Sequence, residues 1–311
     1  MKKHEVFAFV LAIATLCVAQ NPLSHRPDKL APGEHTADVG GIHFWYRVTG
    51  KGPLLVVQSP GWGVGSEYLQ NGLAVLEKDF TVIYYDTRGS ARTSRPSDAK
   101  LMSTNDMIDD LGRLRAYWGL NAITVLGHSN GGAIALGYAI QHPEMVHKLI
   151  LVDMCTEDYD FRAEREKEIA ARKDDPRFKD AIAAMGNFDA KTDEEFGAYM
   201  KKITPLFFYD PASAMPRFAK TDTMLPSIWA RRAVEAPGLP ITQQESLLDH
   251  VKAPTLVLVG HDDWICPVTQ GERLNKGIPN SRLVVFDKSG HFPWIEAPAP
   301  FFDAVVQFAK Q

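Results

Sequence analysis

The sequence is poor in cysteine, has no block of like charge and carries no internal repeat or low-complexity tract. Three cysteines in 311 residues allow at most one disulfide. A formal net charge of -4, with charges of both signs spread along the chain, leaves no electrostatic footprint for nucleic acid or an anionic membrane surface. The one marked apolar run, Val6 to Val18, is too short and too poorly flanked to span a bilayer. No stable membrane insertion is therefore expected. What remains is an ordinary globular composition, 45% hydrophobic and 23% charged, sufficient for one large domain with an insertion.

Lys2 and Lys3 precede that apolar run, and Cys17-Val18-Ala19 offers small residues before Gln20. Residues 1–19 read as a secretory signal peptide, which predicts a secreted or periplasmic protein. Residues 20–33, rich in Pro and polar side chains, read as a linker. Cleavage would leave Cys155 and Cys266, each just after a predicted strand. Two half-buried free thiols are the simpler expectation, although an oxidising compartment would permit a bridge.

Around Ser129 the pattern changes sharply. Ile123 to Leu126 is a β-branched apolar run, Gly127-His128-Ser129-Asn130-Gly131 follows, and Ala133 to Ile140 is a small-residue helical stretch. Strand, tight turn and helix in that order form a nucleophile elbow, in which the serine hydroxyl projects above a sheet. A helix starting at Asn130 aims its free N–H groups at any oxyanion beside Ser129.

A G-x-S-x-G pentapeptide alone is weak, so the partners decide. An acid and then a histidine should follow it in the chain. Pro254 to Gly260 reads as a buried strand followed by His261-Asp262-Asp263, and Ser281 to Phe286 reads as another followed by Asp287-Lys288-Ser289-Gly290-His291. Open parallel sheets place their sites just past the carboxyl ends of strands, where these residues fall. Ser129 is the candidate nucleophile and His291 the candidate base. The residues alone do not choose between Asp262 and Asp263 for the acid.

Elsewhere strand and helix patterns alternate: a hairpin across Ala37 to Thr49, strands at Leu54 to Gln58 and Thr81 to Tyr85 with a helix Tyr68 to Glu77 between them, and a helix capped by Ser103 or Thr104 and stopped by Gly119. A strand at Lys148 to Asp153 and a closing helix Pro300 to Lys310 complete the pattern. This predicts an α/β fold, a mostly parallel twisted sheet with helices on both faces. Residues 34–153 and 252–311 form its two parts. Residues 154–251 break the alternation and read as an inserted helical cap. Such a cap shapes a pocket and excludes water.

Gln58 to Gly65 contains three glycines in five residues, suiting backbone that bends close to a ligand. The Trp62 and Asn130 N–H groups are the candidate oxyanion donors, and Trp62, Phe207, Phe208, Trp229 and Phe292 the candidate substrate-binding walls. Asp86 and Arg88 are read as braces between loops. His128 is read as buried or pocket-lining.

Pro60-Gly61-Trp62-Gly63, Tyr84 to Ser90, Gly127 to Gly132, Gly260 to Pro267 and Ser289 to Glu296 together resemble the α/β-hydrolase superfamily, and within it the prolyl iminopeptidase-like branch. The resemblance implies the α/β-hydrolase fold and covers nearly the whole mature chain. It also implies Asp263 as triad acid, because the family places that acid four residues before the proline that is Pro267 here. Three positions depart from the family pattern: Pro60 stands for its histidine, Gly-His-Ser-Asn-Gly for Gly-Gly-Ser-Trp-Gly, and Ala91 for the second glycine of Arg-Gly-x-Gly.

The expected chemistry is acyl transfer through Ser129, His291 and Asp263. No cofactor and no metal is expected. The substrate is a small molecule or short peptide: a secreted proline-type aminopeptidase is one reading, a carboxylesterase or lactonase the alternative, and a non-hydrolytic receptor on the same fold a third. An aminopeptidase needs carboxylates for the substrate ammonium, and Glu157, Asp158, Asp160, Glu164, Glu194, Glu195 and Glu245 are available in the cap.

Overall fold

The computed structural model describes residues 28–186, 188–222 and 225–311. The expected leader and residues 20–27 of the expected linker lie outside the described residues. Eight strands form one sheet: β1 (Gly33–Val39), β2 (Ile42–Gly50), β3 (Leu54–Gln58), β4 (Thr81–Tyr85), β5 (Ile123–His128), β6 (Val146–Val152), β7 (Thr255–Gly260) and β8 (Ser281–Phe286). Their spatial order is β1-β2-β4-β3-β5-β6-β7-β8. β2 pairs antiparallel with β1 and with β4, and every pair from β4 to β8 is parallel. The hairpin turns at Gly40 and Gly41, both at positive φ (59° and 78°), as a two-residue turn matching strand twist requires.

The helices are α1 (Glu67–Gly72), α2 (Thr104–Tyr117), α3 (Asn130–Gln141), α4 (Arg162–Arg172), α5 (Lys179–Met185), α6 (Asp193–Ile203), α7 (Pro211–Phe218), α8 (Ile228–Val234), α9 (Val268–Gly277), α10 (Pro293–Glu296) and α11 (Pro298–Lys310). Among these described residues no helix is long and apolar enough to cross a membrane. α2, α3 and α9 contribute to one apolar layer, α1 and α11 to the layer on the opposite face. Successive strand residues serve both layers: Val125 of β5 packs in the first and Leu126 in the second. Every residue of β4 and β7 is buried, which is why these strands read as unbroken apolar runs.

Local signals set several boundaries. Ser103 caps α2 through a reciprocal bond with Asp106, an arrangement worth about 1 kcal/mol, and Gly119 at φ 74° follows its end. The helix expected from Tyr68 to Glu77 is two pieces, α1 and a 3₁₀ turn over Ala74–Lys78. Gly72 interrupts it, being a poor helix former that lies against the Trp294 indole. α11 begins at Pro298, not Pro300, because proline fits the first helical position.

Between β6 and β7 the chain leaves the sheet and forms α4 to α8. Asp86 and Arg88 act as braces, as read from sequence. Asp86 accepts hydrogen bonds from the Ser66 N–H and Oγ–H and from Arg92, while Arg88 grips Asp110 with two bonds of 2.6 Å. They fix the loops after β3 and β4 to α2.

Candidate active site

Ser129 stands between β5 and α3 with φ 55° and ψ -130°, a conformation that costs a non-glycine residue about 1–3 kcal/mol. The turn survives because its surroundings hold it. The Ser129 N–H donates to Val152 O at 3.0 Å, and the Gly132 N–H donates to Ser129 O at 2.8 Å. The flanking glycines are steric necessities: a Cβ on Gly127 would lie 2.4 Å from Gly131 O, and one on Gly131 would lie 2.4 Å from Gln58 O.

His291 follows β8 and Asp263 follows β7. The His291 Nδ1 is 2.7 Å from Asp263 Oδ2, and both side chains are buried. A carboxylate only accepts, so this contact puts the proton on Nδ1. Asp263 Oδ1 accepts from the N–H groups of Ile265 (2.9 Å) and Cys266 (3.1 Å). Asp262 is different: its carboxylate lies 3.6 Å from His261 Nδ1, and its carbonyl accepts from Arg172. Among the described residues no hydrogen bond joins Ser129 Oγ to the imidazole, and catalytic contacts are commonly long before substrate binds.

Gly61, Trp62 and Gly63 all have positive φ (82°, 30° and 78°), bending the loop after β3 toward the elbow. The Asn130 side chain donates to Pro60 O at 2.7 Å and so ties the elbow to this loop. Asn130, first in α3, has no earlier helical turn to bond its N–H. The Trp62 ring lies under the Arg231 guanidinium of α8, 4.5 Å from its centroid.

The expected aromatic wall is brought together only in part. Phe207 and Phe292 flank His291 with ring centroids 5.5 and 5.3 Å away. Phe208 is fully buried behind Phe292, in a supporting layer with Phe218. Trp229 sits elsewhere, in the other apolar layer with Arg95 over its ring at 4.7 Å.

Three groups were not singled out from sequence. Tyr68 Oη–H donates to His128 Nδ1 (2.7 Å), and His128 Nε2–H donates to His291 O (2.9 Å). Burial, with His291 beside it, pushes the His128 imidazole well below the usual histidine range, so it is neutral with both nitrogens engaged. Glu296 accepts from Gly290 N–H (2.7 Å), Tyr209 N–H (3.2 Å) and Asp210 N–H (2.9 Å), pinning the His291 loop to the inserted helices. The His291 N–H adds a bond to Phe207 O at 2.8 Å. Asp153, at the end of β6, is buried at φ 42°. Its place at a strand's carboxyl end, like those of Ser129, Asp263 and His291, was the signal available.

Cys266 Sγ, an Asp263 oxygen and a His291 nitrogen lie within 4.8 Å of one another. The carboxylate and imidazole already satisfy each other, the chemistry of a hydrogen-bonded dyad rather than of a ligand set. Cys155 and Cys266 are free thiols.

Most acids that might have met a substrate ammonium are committed to structure. Glu157 accepts from Thr242 N–H, Asp158 from Gln244 and Glu245 N–H, and Glu164 from Tyr159. Asp160 pairs with Arg162, Glu195 completes a capping box with Thr192, and Glu245 binds Thr156, Gln270 and Arg273.

A sheet of this order with a strained serine elbow and a buried histidine–carboxylate pair defines a class. Residues 54–298 match the α/β hydrolase fold family, and the chain belongs to it. It is 27% identical over 266 residues to RutD, a candidate carbamate hydrolase of Pseudomonas savastanoi pv. phaseolicola, covering 82% of this chain and 93% of that protein. It is 26% identical over 292 residues to a proline iminopeptidase of Saccharolobus solfataricus, covering 87% and 90%. The structure is similar to an esterase from Exiguobacterium antarcticum, with TM-score 0.69, 22% identity and coverage of 90% and 100%.

Proposed function

We propose that this protein is a serine hydrolase that cleaves a small ester or lactone through an acyl-enzyme, with Ser129 as nucleophile, His291 as base and Asp263 as the acid that orients it. The buried 2.7 Å contact between His291 Nδ1 and Asp263 carries the reading, because it leaves Nε2 as the nitrogen that takes a proton. His291 takes the Ser129 proton as Ser129 Oγ attacks the carbonyl carbon. The N–H groups of Trp62 and Asn130 hold the resulting oxyanion, each worth about 2.7–4 kcal/mol in the transition state. His291 then protonates the leaving oxygen, and water repeats the sequence in reverse roles to free the acid.

The choice of a neutral acyl substrate over a peptide amine rests on the committed acids of the insertion, from Glu157 before α4 to Glu245 after α8, together with the phenylalanine walls at His291. The aminopeptidase reading keeps one support, the iminopeptidase relative. Residues 1–19 support export to the periplasm or medium, which the N-terminus of the mature protein checks by mass spectrometry.

Burst kinetics on short aryl esters and lactones beside proline and alanine arylamides test the substrate class. Ester or lactone turnover with a stoichiometric burst is expected. Turnover of free-amine arylamides, lost on N-acetylation, would make the protein an aminopeptidase.

A further inference from the structure

The carboxyl end of β6 holds a second buried carboxyl, Asp153, against the proposed triad acid in the loop after β7. Asp153 and Asp263 are each 1% exposed. Asp153 Oδ1 accepts the Gly260 N–H at 2.7 Å, and its own N–H donates to Leu258 O at 2.9 Å, so the residue is locked at the β6–β7 junction. Its Oδ2 is buried and receives no hydrogen bond from an N–H or O–H group of the described residues, and the Asp153 and Asp263 side chains interact. Two carboxylates that close and that dry cannot both be ionised. The donors decide which keeps the charge. Asp263 receives three, from Ile265, Cys266 and His291, whereas Asp153 receives one. Besides His291, the titratable groups around the pair are the thiols of Cys155 and Cys266, and the Arg165 guanidinium, which donates to Ile265 O, acts on Cys266.

We propose that Asp153 is a neutral carboxylic acid whose Oδ2–H donates to Asp263, making it a positioning residue that sets the orientation of the acid behind His291. The inference rests on the Ser129–His291–Asp263 reading above. Burial, followed by the Asp263 charge, raises the Asp153 carboxyl well above the usual carboxylate range, in agreement with the geometry. Each of these three residues then has one proton state: Asp153 neutral, Asp263 charged, and His291 protonated on Nδ1 with Nε2 free.

Infrared difference spectroscopy and kinetics on the mature protein test it. The wild type at neutral pH should show the C=O stretch of a protonated carboxylic acid, absent from Asp153→Asn and retained in Ser129→Ala. Asp153→Asn, whose amide still donates, should keep kcat within about threefold and leave the acidic limb of the kcat/KM profile in place. Asp153→Leu, which fills the space without a donor, should lower kcat about tenfold with KM unchanged, the loss of one hydrogen bond. Absence of the Asp153-dependent band, or full turnover in Asp153→Leu, overturns the proposal. Undiminished turnover in Ser129→Ala overturns the serine reading instead, and the band does not depend on that outcome.

Discussion

Glu296 supports the position of the candidate base without touching it, and its loss has a calculable effect. Its two oxygens accept from Gly290, Tyr209 and Asp210 N–H groups at 2.7, 3.2 and 2.9 Å. Glu296→Ala removes all three bonds. The two short ones are worth about 1–1.5 kcal/mol each and the long one about 0.5, giving about 3 kcal/mol in all. Gly290 precedes His291, so the loss also loosens the backbone that carries the imidazole and leaves the His291 N–H bond to Phe207 O as its remaining tie to the insertion. A shift of about 1 Å costs on the order of 100-fold in rate. Glu296→Gln keeps an acceptor for one side of this clamp but turns an N–H toward another N–H. It should lose about half the stability. Urea unfolding gives the stability of each variant, and steady-state turnover gives kcat. A loss below 1 kcal/mol in Glu296→Ala, or an order of effects with Gln worse than Ala, would refute the reasoning.

Other predictions follow from single contacts. Gly131→Ala places a Cβ against Gln58 O and should cost about 3 kcal/mol or prevent folding, seen as loss of soluble protein or a lowered unfolding midpoint. Tyr68→Phe leaves His128 Nδ1 buried without its donor, which should cost about 2 kcal/mol in urea unfolding. Asp153 has a folded pKa above its unfolded value, so its contribution is present below the ordinary carboxylate range and is lost as pH rises toward the folded value. Asp153→Asn, which never ionises, should therefore gain on the wild type as pH rises above the ordinary carboxylate range, by up to about 1.4 kcal/mol per pH unit. Parallel stability curves for the two proteins would contradict this.

The strands and the elbow were legible because each depends on local sequence. Buried parallel strands are unbroken apolar runs, and Gly127 is required by its contact with Gly131 inside the elbow, although Gly131 is required by Gln58 at the distant end of β3. His291 and the pair Asp262–Asp263 were legible from their places after β8 and β7, since a parallel sheet gathers strand ends along one rim, while the choice of Asp263 over Asp262 came from the family resemblance. What the chain could not reveal are contacts between segments far apart in sequence. Phe208 and Trp229 looked like equal candidates for a pocket wall, but one is sealed behind Phe292 and the other lies under Arg95 in the opposite layer. The acidic residues of the insertion looked free, yet most accept bonds that fold the insertion on itself or onto α9. Glu296 was visible as the end of a motif, while its three N–H donors depend on residues 209 and 210 coming from the inserted helices.

The central claim is that Ser129, activated by His291, is the nucleophile. Labelling the mature protein with an alkyl fluorophosphonate and locating the adduct by peptide mass spectrometry tests it most directly. One adduct per chain is expected, on Ser129, with none in Ser129→Ala and labelling slowed at least 100-fold in His291→Ala. An adduct on another residue, or unchanged labelling in His291→Ala, would contradict it.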